Sequence, residues 1–90
     1  MGLTIQDRET IISIAQTSIG QLTKLFKAFD KSLNQETIKA SEEACKLMCI
    51  NYFQLGNKVV EPKTKSEIQK VVQQQYLSQF EHILIKQKQK

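Results

Sequence analysis

Apolar side chains return every three or four residues along most of this chain, and that spacing restricts it to helices. From Ile12 through Ala15, Ile19, Leu22, Phe26 and Phe29 the steps are three, four, three, four, three. Such steps hold one stripe on one side of an α-helix and would scatter it over both faces of a strand. Ile11, Ile14 and Leu25 widen the stripe on one flank. A second stripe follows Ile38, Ser41, Cys45, Met48, Tyr52 and Leu55, and a third follows Ile68, Val72, Tyr76, Phe80 and Ile83, with Val71, Leu77 and Leu84 beside it. Little interrupts them, because the 90 residues include one Pro and three Gly. One of those glycines, Gly20, lies inside the first stripe. It costs about 1 kcal/mol relative to Ala unless a neighbouring helix needs the missing side chain.

Local signals place the ends. Thr4 with Asp7 resembles a capping box and opens a helix predicted over 5–30. Ser32 with Gln35, or else Asn34, caps a second helix over 33–55, which Gly56-Asn57 stops. Pro62 then marks 57–63 as a loop with Val59 and Val60 tucked inward, and Thr64 with Glu67 opens a third helix over 65–86. The expected fold is all-α: one domain over 1–90, an antiparallel three-helix bundle of two long helices plus a third, assembled into a larger helical oligomer. The oligomer is expected because so short a chain buries a thin core. The usual staples are missing, since two cysteines make no disulfide framework and no zinc-type cluster appears.

The net charge of +4 is unevenly placed. Residues 1–30 balance Asp7, Glu9 and Asp30 against Arg8, Lys24 and Lys27, whereas residues 61–90 set Lys63, Lys65, Lys70, Lys86, Lys88 and Lys90 against Glu61, Glu67 and Glu81. Lysines at a helix C-terminus complement its dipole and aid solubility. They are also the candidate contacts of a small basic nucleic-acid-binding regulator, with Gln69, Gln73, Gln74 and Gln75 able to read base edges. Against that reading, the chain has a single Arg, and no short helix-turn-helix precedes the third helix.

Motifs that carry chemistry fail at their most demanding positions. Asp30, Ser32 and Asn34 imitate the first ligands of a calcium loop, but Gln35 stands where the sharp turn needs Gly and Ser41 where a bidentate Glu is required. Cys45 and Cys49 lie one helical turn apart with only His82 to join them, so they are read as core residues and no metal or cofactor is expected. No Gly-rich phosphate loop and no nucleophile–base spacing is present, and an enzyme is not expected. Gln6 stands where a myristoylation signal needs Ser or Thr. Asp7, Arg8 and Glu9 precede the apolar stretch, an order unlike a signal peptide, and no stretch is apolar enough for a membrane span. The expected compartment is the cytoplasm.

The second helix points to function. Laid out at 100° per residue, Ala44, Cys45, Met48, Cys49, Tyr52 and Leu55 cover one side, and Leu47, Ile50 and Phe53 point to the other. A helix apolar on two sides needs cover on two sides, so Leu47, Ile50 and Phe53 are expected to form a partner interface. The alternative cover is the 57–63 loop carrying Val59 and Val60. The function expected is a non-enzymatic helical protein–protein interaction module (an adaptor, chaperone-like or regulatory subunit), bound to itself as a homo-oligomer or to a helical protein partner.

Overall fold

The computed structural model describes residues 3–56 and 60–84. Three helices account for most of them: α1 (Ile5–Ala28), α2 (Gln35–Leu55) and α3 (Pro62–Leu84). α1 begins as the sequence signals. The Thr4 hydroxyl accepts from the Asp7 backbone N–H at 3.0 Å, and the Asp7 carboxylate accepts from the Thr4 N–H at 3.2 Å. That reciprocal pair satisfies two of the donors every helix start leaves over.

α2 ends at Leu55 with Gly56 as its cap, as expected, and three other boundaries differ from expectation, each for a local reason. α1 stops at Ala28, because Asp30 takes a left-handed conformation (φ 54°). The Lys31 N–H then reaches back to the Phe26 carbonyl at 2.9 Å, and the Asp30 N–H to the Lys27 carbonyl at 3.1 Å. Those two bonds form a Schellman closure, whose left-handed residue is ordinarily Gly. Asp30→Gly is therefore expected to raise stability, by up to about 1 kcal/mol, since Gly carries no penalty in that conformation. The urea midpoint is the measurement, and an unchanged or lower value would count against it. Asn34, not Ser32, caps α2, accepting from the Thr37 N–H at 2.9 Å. α3 starts at Pro62, three residues before the predicted start at Lys65. A proline fits the first helical position because the donor it lacks would be unpaired there anyway.

Three cross-links fix the topology. Arg8 meets Glu67 and Gln16 meets Gln75, so α1 and α3 run side by side in the same direction. The Ser41 hydroxyl meets the Tyr76 hydroxyl, and Gln35 shares a groove with Leu84, so α2 and α3 run oppositely. The chain goes up, down and up, an antiparallel order between consecutive helices with all three pairs in contact.

The core is filled by Ile11, Ala15 and Ile19 from α1, by Ile38, Cys45, Cys49, Ile50 and Phe53 from α2, and by Ile68, Val72, Tyr76, Phe80 and Leu84 from α3. Val60 packs against it, as expected, while Val59 lies outside the described residues. Gly20 faces open space: a Cβ built there meets nothing within 4 Å. Close packing therefore does not explain it, and Gly20→Ala is expected to stabilise the chain by about 1 kcal/mol through helix propensity alone. A thermal melt that shows no gain would contradict this.

Candidate interaction surface

α2 is apolar on two opposite sides, but they are divided differently from the expected way. Ile50 and Phe53, at 6% and 5% exposure, belong to the chain's own core, so their expected place on an outward face is corrected. Leu47 does point outward, at 62% exposure. Its outward neighbours are Met48 (50%), Tyr52 (55%) and Leu55 (85%), three residues that the three-four spacing assigns to the core side. Three positions of the buried ridge are displaced by one. The buried ridge runs Ile38, Glu42, Cys45, Cys49, Phe53, where Ser41, Met48 and Tyr52 had been drawn in place of Glu42, Cys49 and Phe53. One position is 100° of rotation, enough to exchange an inner face for an outer flank.

The displaced residue is Glu42. Its carboxylate meets the Lys46 ammonium at 2.9 Å one turn along, with side chains only 12% and 14% exposed. Glu43 closes on the same ammonium at 2.9 Å. Burial lowers the Lys46 pKa, but the two carboxylates outweigh it and hold the group above its ordinary value. Paired in this way, a charged residue can occupy an inward position that its formal polarity seems to exclude.

Deeper in, Cys45, Cys49 and Tyr76 are wholly buried and both cysteines are free thiols. The Tyr76 hydroxyl is 2.8 Å from the Ser41 hydroxyl. Among the described residues no buried side-chain nitrogen or oxygen lacks a partner. The bond from Cys49 lowers Cys45 to about 7, against the opposing effect of burial. That bond, and then burial, raise Cys49. Burial chiefly raises Tyr76.

An alkaline response follows from Tyr76. Its raised folded-state pKa means that the unfolded chain releases this proton first, at about 10. The stability it contributes is complete below that value and falls as pH climbs past it. Urea midpoints are expected to drop steeply above about pH 10, and less steeply in Tyr76→Phe. Parallel profiles for the two proteins would refute the assignment to Tyr76.

The remaining sequence candidates are dispersed. Lys63, Lys65 and Lys70 are all exposed on α3, but only Lys63 and Lys70, seven residues apart, share a face. Glu67 lies on that face and is bonded to Arg8 at 3.2 Å. Gln75 is occupied by Gln16 at 2.6 Å. Lys86, Lys88 and Lys90 lie outside the described residues. Among the described residues no three His, Cys, Asp or Glu side chains group as metal ligands, and His82 is exposed. No helix there is long and apolar enough to cross a membrane.

Beside the outer face of α2, a groove of about 720 Å³ runs between Thr4, Asp7 and Thr10 of the α1 start and Tyr52, Leu55 and Gly56. The apolar face thus continues into a concavity at one end of the bundle. Compared with known protein families, curated proteins and solved structures, the chain matches none.

Proposed function

We propose that this chain is a non-enzymatic helical interaction module, an adaptor, chaperone-like or regulatory subunit, that docks a helix of another chain on the outer face of α2. The observation that carries the reading is the exposure of Leu47, Met48, Tyr52 and Leu55 together on one helix whose opposite side is already in the core. Scattered exposed leucines are ordinary, whereas a contiguous apolar stripe on a small chain is the usual mark of an interface. Helix-in-groove recognition uses such anchors at three- and four-residue steps, and the adjoining groove at Tyr52 and Leu55 offers the concave side. Further support comes from charge. From Leu47 to Gly56 the sequence has no charged residue, so covering this stretch desolvates no ion.

The experiment is a displayed library of helical peptides panned against the wild-type chain and against Met48→Lys with Leu55→Lys. Peptides with an apolar stripe are expected to be enriched by the wild type and lost with the double variant. Equal recovery on both proteins, or no recovery on either, would overturn the reading. A nucleic-acid function makes a different demand: binding to an oligonucleotide that weakens steeply with salt, through Lys63, Lys65 and Lys70. Apolar helix docking is nearly indifferent to salt.

A further inference from the structure

Resting on the interaction-module reading above, we infer that the outer face of α2 pairs with the same face of a second copy of this chain, the two α2 helices running antiparallel about a two-fold axis. Ala44, Met48, Asn51 and Leu55 are exposed and spaced four, three and four residues apart, the step of a coiled-coil seam. At 100° per residue they fall within about 60° of one another, with Leu47 on one flank and Tyr52 on the other.

Size alternates along this seam. Ala44 and Asn51 are small, and Met48 and Leu55 are large. A parallel pair would set Leu55 on Leu55 and Met48 on Met48, leaving a void at Ala44. An antiparallel pair centred between Cys49 and Ile50 lays each Leu55 over the partner's Ala44 and each Met48 over the partner's Asn51. Every large side chain then meets a small one, the condition for close interhelical packing. The same centre brings the two Asn51 amides about 4.5 Å apart along the axis at 1.5 Å per residue. Each amide can then satisfy the other, and a polar residue in such a seam fixes its register. Antiparallel order also sets the helix dipoles against one another favourably.

Charge and area agree with this occupant. The nearest charged side chain on the N-terminal side, Lys46, is already held by Glu42 and Glu43 of its own chain. Given how much of Leu47, Met48, Tyr52 and Leu55 is exposed, these side chains offer on the order of 500 Å² per copy, taking aromatic side chains at roughly 150–250 Å² each. Two copies then bury about 1,000 Å², at the lower limit for a specific complex. The dimer is accordingly a reversible one that forms as concentration rises.

Sedimentation equilibrium of the full chain over a range of concentrations is the first measurement. The mass is expected to rise from one copy to two, and Met48→Lys to hold it at one with the helical circular-dichroism signal retained. The second measurement mixes chains carrying Ala44→Cys with chains carrying Leu55→Cys under mild oxidation. Mixed disulfides between the two variants are expected, with few between like chains. Disulfides between like chains would overturn the antiparallel arrangement, and a wild-type chain that stays monomeric would overturn self-pairing. A monomer that still selects striped helical peptides in the library experiment leaves the interaction-module reading standing. One that selects none removes both. The disulfide pattern decides the arrangement even where Met48→Lys does not fold.

Discussion

Ile50→Lys is expected to unfold the chain, while Met48→Lys, two positions away, is expected to leave it folded. Ile50 is buried among the other core residues and Met48 is half-exposed. An unpaired ammonium in an apolar core costs several kcal/mol. A 90-residue domain has a total stability of about 5–13 kcal/mol at ordinary values per residue. The substitution therefore consumes much or all of what holds the fold. Met48→Lys moves a lysine into solvent, where its stem can lie along the helix, and shifts monomer stability by about 0.5 kcal/mol or less. Far-UV circular dichroism and urea titration at low protein concentration separate the two. If Ile50→Lys kept the wild-type midpoint, the inward placement of Ile50 would be wrong.

Tyr76→Ala is expected to be the most damaging truncation in α3, at about 3–5 kcal/mol by analogy with other buried aromatic deletions. Tyr76 is the largest of the wholly buried side chains and touches Phe80 with ring centroids 6.2 Å apart. Its hydroxyl also supplies the Ser41 contact. Tyr76→Phe removes that contact together with the hydroxyl's interactions with Ser18 and Cys45, and costs about 1 kcal/mol, because the Ser41 hydroxyl can turn back to a carbonyl of its own helix. Adding Ser41→Ala to Tyr76→Phe is expected to cost little more, since neither variant then leaves a lone buried partner. A loss below about 1 kcal/mol for Tyr76→Ala would show that the ring does not carry the α2–α3 packing.

The helices themselves were legible because their signals are short-range. Thr4 and Asp7 sit three residues apart and close on each other as written. In α3 the stripe Ile68, Val72, Tyr76, Phe80 is buried as read, with Leu84 taking the place of Ile83. Rotational setting was less legible. In α1 Ile11 is buried and its neighbour Ile12 is exposed, the reverse of the seam drawn through Ile12. In α2 three-four spacing runs the ridge through Ser41, but Glu42 holds the buried position, and only the fold reveals that Lys46 neutralises it in place. The signal for that pair was present, an acid four residues before a base. It reads equally well as a solvated face. A helix with apolar residues on both sides leaves periodicity with two near-equal answers, and packing against α1 and α3 decides between them. The site moved with that decision, from Leu47, Ile50 and Phe53 to Leu47, Met48, Tyr52 and Leu55.

The two cross-links between α1 and α3, Arg8 with Glu67 and Gln16 with Gln75, each join residues 59 apart in sequence. The α2–α3 link from Ser41 to Tyr76 spans only 35. Closing the longer loop costs about 0.5 kcal/mol more in chain entropy, so the α2–α3 contacts have the advantage over the α1–α3 contacts in forming first. Contacts made after the rate-limiting step govern how fast a protein comes apart and not how fast it assembles. Substitutions at Arg8 or Gln16 should therefore speed unfolding and leave the refolding rate nearly untouched, whereas changes at Ser41 or Tyr76 should slow refolding. The lifetime of the native chain is then set by the seam it closes last.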